Sequence, residues 1–182
     1  MDAVRSWLLI GKYRDTLSRT YLQSQQIQAL LTFAEPVEHP GIICRYLAVE
    51  DGVPLTTQVF ETGLAFIDHH YRNNHHVLVA CGAGISRSAT FVIAALKQTE
   101  QLGLLEAARV VSQARPSILP HYVLWQSLCN YYHEDVPYLT LVRALQPKHG
   151  EQHLHTYVVQ CLCLRIAAQK AFRYRFQTCT KP

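Results

Sequence analysis

A chain of 182 residues, 49% hydrophobic and 16% charged, carries enough apolar content for one domain with a real core and a short appendage. No run of eighteen apolar residues predicts a membrane-spanning helix, and Met1-Asp2-Ala3-Val4-Arg5 lacks the basic flank and apolar stretch of a secretory signal. The net charge of +4 comes from residues 151–182, where five Lys/Arg face Glu151 alone; twelve Lys/Arg and twelve Asp/Glu balance before that, which speaks against a nucleic-acid-binding core.

In chain order, Trp7-Leu8-Leu9-Ile10 reads as a short strand closed by Gly11. Residues 15–25 place Leu17, Tyr21 and Leu22 at helical spacing. Ile27 to Phe33 and Ile42 to Ala48 are β-prone runs separated by Pro36, Pro40 and Gly41. Pro54 precedes a helical pattern from Leu55 to Tyr71, and Val77 to Ala80 is a fourth strand, too apolar to be exposed. Residues 88–101 are apolar almost all round, which predicts a buried helix. Leu104 to Ala114 is an amphipathic helix stopped by Arg115-Pro116, and Pro120 opens another with Leu124, Trp125, Leu128 and Tyr132 on one face. The alternation predicts an α/β fold: a central, mainly parallel, twisted sheet of four to five strands flanked by helices. Val136-Pro137 is the expected boundary between a main domain, 1–135, and an extension, 136–182, with further helices over 139–146 and 156–176.

The stretch with the most chemistry is Val77-Leu-Val-Ala-Cys-Gly-Ala-Gly-Ile-Ser-Arg-Ser-Ala-Thr90. A buried strand ends on Cys81, Gly82-Ala83-Gly84-Ile85-Ser86 turns, and a helix follows from Arg87. Glycines let backbone N–H groups converge on one point, and the helix N-terminus adds its positive end. Such a nest binds a tetrahedral anion, and the planar fork of Arg87 can clamp two of its oxygens. The same field favours the Cys81 thiolate, placing an activated nucleophile beneath a bound phosphoryl group.

This stretch resembles the signature loop of the cysteine-based protein phosphatases, in the small dual-specificity branch, whose pattern is His-Cys-x-x-Gly-x-x-Arg-Ser/Thr. Cys81, Gly84, Arg87 and Ser88 match it, and residues 49–68 and 114–128 are similar to the family's acid loop and C-terminal segment. The resemblance covers roughly residues 5 to 133 and implies a tyrosine-phosphatase-like fold. It also implies roles. Cys81 attacks phosphorus and forms a phosphocysteine. Arg87 binds substrate and transition state, with the amides of Gly82, Ala83, Gly84, Ile85 and Ser86. Ser88 hydrogen-bonds the sulfur, and Asp51 acts as general acid; Glu50 and Asp68 are its competitors. No metal or cofactor is implied, and the expected substrates are phosphorylated proteins. One residue departs from the pattern: Ala80 stands where the family has His, and the expectation is a thiolate less favoured but still present. A phosphate-binding module without turnover, or a phosphatase of phosphoinositides or RNA 5′ phosphates, are the alternatives.

The six cysteines, Cys44, Cys81, Cys129, Cys161, Cys163 and Cys179, have no framework spacing and read as reduced thiols in a cytoplasmic protein. Relatives suggest a Cys44–Cys81 pairing on oxidation, although packing is the ordinary role of Cys44. His69-His70 and His75-His76 read as solvated residues around a loop, and His153, His155, Cys161 and Cys163 match no compact zinc spacing. Residues 156–176, with Arg165, Lys170, Arg173 and Arg175, have two readings: a basic helix docking on an acidic membrane or partner, or an extra helix packed on the main domain.

Overall fold

In a computed structural model that describes residues 1–145, strands Asp2–Ala3 (β1), Leu8–Lys12 (β2), Ile27–Thr32 (β3), Ile43–Tyr46 (β4) and His76–Cys81 (β5) form one sheet. Their order is β1-β2-β5-β3-β4, with β1 antiparallel and every other pair parallel. β5 is therefore central, which explains its unbroken apolar run: a strand covered on both faces has no polar side to show. Val77 through Cys81 are all buried. The register sets Cys81 beside Lys12 and Ala80 beside Thr32, so β2, β5 and β3 end together. Ligands of parallel sheets bind in the crevice outside such carboxyl ends.

The helices are Arg19–Ser24 (α1), Thr57–Arg72 (α2), Arg87–Glu100 (α3), Leu104–Ala114 (α4), Tyr122–Tyr132 (α5) and Tyr138–Leu145 (α6). α3 leaves β5 through the glycine loop, and its residues 88–96 are all buried. Phe91 stacks on Phe33 with centroids 4.5 Å apart and lies 5.5 Å from Phe60. α2 approaches so closely that a Cβ on Gly63 would sit 2.4 Å from the Phe91 ring. The helix expected over 15–25 is instead a 3-10 turn, Tyr13–Thr16, and α1. Ser18 divides them because its hydroxyl caps α1, accepting from the Tyr21 amide. β1, only two residues long, is too short to leave a periodic signal.

The compact unit runs from Met1 to Leu145, so Val136-Pro137 falls inside it rather than at its edge. Pro137 opens α6: its carbonyl accepts from the amides of Thr140 and Leu141. Leu141, Val142 and Leu145 are buried, and α6 packs on α4 and α5. Trp125 Nε1 donates to the Val136 carbonyl at 2.8 Å. The candidate helix over 156–176, the His/Cys group beginning at His153 and Cys179 lie outside the described residues.

The histidines near the α2–β5 turn are not all solvated. His70 is only 2% exposed, and its Nδ1 meets Nδ1 of His75 at 2.9 Å. One nitrogen must donate and the other accept, so the pair excludes two imidazolium ions. Burial, with the positive charges His75 and His69 would carry, holds His70 below its ordinary value.

Two predictions follow from this packing. A chain ended at Asp135 loses three buried apolar side chains and the Trp125 acceptor. Urea unfolding should find it less stable than a chain ended at Leu145 by on the order of 4 kcal/mol. Neutral His70 contributes stability that is complete above the unfolded imidazole pKa of about 6.5 and is lost as pH falls through its lowered folded value. Thermal unfolding at pH 5.5 should have a lower midpoint than at pH 7.5, and His70→Gln should narrow the difference.

Candidate active site

The loop from Gly82 to Ser86 is shaped by where its carbonyls go. Gly82 O accepts from the Tyr13 amide at 3.3 Å, and Ile85 O from the Leu119 amide at 3.0 Å. Ser86 O accepts from the Thr90 amide at 2.9 Å, within the first turn of α3. Arg115 takes the other two: Nη2 donates to Ala83 O at 3.1 Å and Nε to Gly84 O at 2.8 Å, while Nη1 pairs with Asp2. With the carbonyls engaged away from the sulfur, the amides converge on it. Gly84 has φ +71°, and a Cβ there would lie 2.7 Å from Gly11 O, so no other residue fits this seat against β2.

Cys81 is 2% exposed at the floor of the loop, and its Sγ lies 3.2 Å from Ser88 Oγ. Burial pushes the thiol up, but hydrogen bonds from the Ser88 hydroxyl and from the amides of Ser88, Gly84 and Ile85 outweigh it, and the thiol lies below its ordinary value. That holds with Ala80 as the preceding residue. Ala80 is fully buried in an apolar cluster with Leu9, Leu22, Ile27, Leu30, Ile42 and Leu78.

Arg87 bridges the loop to its surroundings. Nη1 donates to Phe33 O at 2.7 Å and to Val49 O at 2.9 Å. Nη2 lies 3.3 Å from where a Cβ on Gly82 would stand. Nε is buried and has no hydrogen-bond partner among the described residues. A buried guanidinium N–H without an acceptor is costly, and an oxyanion held by the loop amides would supply one in bidentate geometry.

Asp51 lies on the irregular segment between β4 and α2, at the rim of the loop, where Oδ1 accepts from Ser86 Oγ at 2.6 Å. Asp68 is elsewhere: it sits in α2 and pairs with Arg72 at 2.9 Å. Glu50 is exposed beside Asp51. Thus Cys81, Arg87, Ser88 and Asp51 gather around one loop, and Asp68 does not join them. Cys44 does not join them either. It pairs in register with Leu30, which pairs with Leu78, three residues before Cys81 and two strands away. At about 4.8 Å per strand and about 3.3 Å per residue, the Cα separation far exceeds what a disulfide spans. A Cys44–Cys81 bridge therefore does not fit this fold.

Arg115, Asp2, Tyr13 and Leu119 support the site, and no sequence reading gave any of them that role, although Arg115 and Leu119 lie in the segment 114–128 that resembles the family. Arg115-Pro116 read as a helix stop within that segment, and the contact of Arg115 with the loop spans more than thirty residues.

The family model for the dual specificity phosphatase catalytic domain matches residues 9–134, the region that holds every one of these site groups except Asp2. The chain belongs to the dual-specificity phosphatase family. Human dual specificity protein phosphatase 8 is 30% identical over 150 residues, covering 79% of this chain and 23% of that protein. Human dual specificity protein phosphatase 5 is 37% identical over 135 residues, 72% of this chain and 35% of that protein. The matched part is thus well under half the length of these curated relatives. The crystal structure of human DUSP28 shares the fold, with TM-score 0.68 and 23% identity over 73% of this chain and 96% of that one.

Alkylation of Cys81 by iodoacetate, followed by mass spectrometry of its peptide, should show a reactivity midpoint below the ordinary thiol value. Ser88→Ala removes one hydrogen bond to the sulfur and should move the midpoint upward, while Cys129, which burial pushes up, should react only at higher pH.

Proposed function

We propose that this chain hydrolyses phosphomonoesters on proteins, at phosphotyrosine and at phosphoserine/threonine, through a phosphocysteine intermediate and without a metal. The observation that carries the reading is the buried Cys81 sulfur, favoured as thiolate by Ser88 and the loop amides, beneath the unengaged Nε of Arg87. In the first step the thiolate attacks phosphorus. The S–P bond forms, the P–O bond to the leaving group breaks, and the leaving oxygen takes a proton from Asp51. The amides of residues 82–87 and the Arg87 fork hold the equatorial oxygens as fixed donors, so little reorganisation accompanies the charge shift. In the second step Asp51 takes a proton from water, the water oxygen attacks phosphorus, and the S–P electron pair returns to sulfur. The Ser88 hydroxyl, 3.2 Å away, then stabilises the departing thiolate.

Binding without turnover is the second reading, and Ala80 favours it. The lowered Cys81 pKa weighs against it, because that thiolate does not depend on an imidazole at position 80. A preference for phosphoinositides or RNA 5′ phosphates would call for cations on the loop, and the exposed rim residues Gly82, Ala83 and Ile85 supply none. The reduced-thiol reading of the cysteines supports a cytoplasmic setting. Among the described residues no helix is long and apolar enough to cross a membrane.

Steady-state kinetics test the proposal. Phenyl phosphate and a phosphotyrosine peptide should both be turned over by the wild-type chain, and Cys81→Ser should leave no turnover of either. Asp51→Asn should lower kcat on phenyl phosphate by about 10²-fold, the lower end of general-acid effects. Binding of phosphopeptide with equal, near-zero turnover by wild type and Cys81→Ser would instead establish the second reading.

A further inference from the structure

Ser86 occupies the N-cap position of α3, where a serine hydroxyl ordinarily accepts from an amide two or three residues on. It makes no such bond. Its oxygen instead accepts from the His121 amide at 2.8 Å, and its one hydrogen goes to Asp51 Oδ1 at 2.6 Å. The side chain is 8% exposed, so water does not readily compete for these bonds. The segment bearing Asp51 is held at two further points. Arg87 Nη1 donates to Val49 O, and the His121 ring packs against Gly52, where an added Cβ would meet it at 3.2 Å. The carboxyl group is exposed, and the Ser86 contact is the bond that fixes its direction.

We infer that Ser86 is a positioning residue for proton transfer: its hydroxyl engages Oδ1 of Asp51, aims Oδ2 at the leaving oxygen, and stabilises the carboxylate as that proton departs. This rests on the proposed general-acid role of Asp51. A serine hydroxyl has a single hydrogen. Because the His121 amide fills a lone pair of the same oxygen, that hydrogen is directed to Oδ1, and Oδ2 is left to carry the transferable proton. As the P–O bond breaks, the proton moves from Oδ2 to the leaving oxygen, which keeps the bond's electron pair, and Asp51 becomes anionic. The contact then becomes a charge-assisted O–H···O⁻ bond, roughly twice as strong as a neutral one. The contact therefore strengthens along the reaction, as a group acting in the transition state should.

Such a residue matters in proportion to how much the leaving group needs a proton. Wild type, Ser86→Ala, Ser86→Thr and Asp51→Asn should be compared on phenyl phosphate and on an aryl phosphate whose phenol is acidic enough to leave unprotonated. Protection of Cys81 from iodoacetate by inorganic phosphate reports that each variant keeps its cradle. The expected result for Ser86→Ala is about a tenfold loss of kcat on phenyl phosphate, a loss several-fold smaller on the activated ester, and recovery with Ser86→Thr. Equal losses on both esters, or no loss on either, would overturn the inference and reduce Ser86 to support of the loop. If Asp51→Asn discriminates between the esters and Ser86→Ala does not, only the Ser86 inference falls. If Asp51→Asn fails to discriminate, the acid role falls and the inference with it.

Discussion

The site depends on one constraint: five consecutive carbonyls, from Gly82 to Ser86, must find acceptor roles away from the sulfur. Tyr13, Arg115, Leu119 and Thr90 meet it between them, drawing on the end of β2, the end of α4, the segment before α5 and the first turn of α3. A peptide group cannot direct both its ends to the same side, so where the carbonyls are fixed the amides are fixed too. The Ser88 hydroxyl and amide, with two of those amides, Gly84 and Ile85, hold the Cys81 sulfur below its ordinary pKa in spite of its burial. The Arg115–Asp2 pair shows how far the dependence reaches: the N-terminal strand holds the arginine that holds the loop.

Topology makes this economical. With β5 between β2 and β3, the loop after it emerges amid the ends of both neighbours. Tyr13 follows β2 directly, and Phe33, whose carbonyl anchors Arg87, follows β3. Arg87 also holds Val49, two residues before Asp51. The guanidinium thus ties the anion site to the segment bearing the carboxyl group. Main-chain groups, fixed by the fold, do most of the positioning, and only a few side chains complete it.

How much of this was legible in the sequence follows from the range of each interaction. Val77 to Ala80 announced a buried strand because burial on both faces removes every polar residue, and α4 was legible because its apolar positions keep helical spacing up to the stop at Arg115-Pro116. The cysteine-to-arginine spacing placed Cys81, Arg87 and Ser88 together because all three lie within one local turn. The choice of Asp51 over Asp68 rested on resemblance and loop context, and the fold separates them because Asp68 is committed to Arg72 in α2. What was not legible is long-range. Neither the brace of Arg115 nor the seat of Gly84 against Gly11 leaves a periodic trace. Pro137 misled for a related reason: proline ends one pattern and opens the next helix with the same chemistry, and only the packing of α6 on α4 and α5 tells which.

The Cys81 sulfur is held below its ordinary pKa with Ala80 before it, and the strand geometry gives the reason. Successive strand residues point to opposite faces, so Ala80 and Leu78 share the apolar face while Cys81 points to the other. The groups that stabilise the sulfur all come from residues 84–88, beyond the strand. None of those groups is a side chain of position 80. With Leu9, Leu30 and Ile42 packed around it, the position is governed by volume, and a larger side chain there would cost on the order of 1–3 kcal/mol in displaced neighbours. Ala80 thus contributes to the sheet's packing, while the groups that hold the sulfur's charge lie in the loop and the first turn of α3.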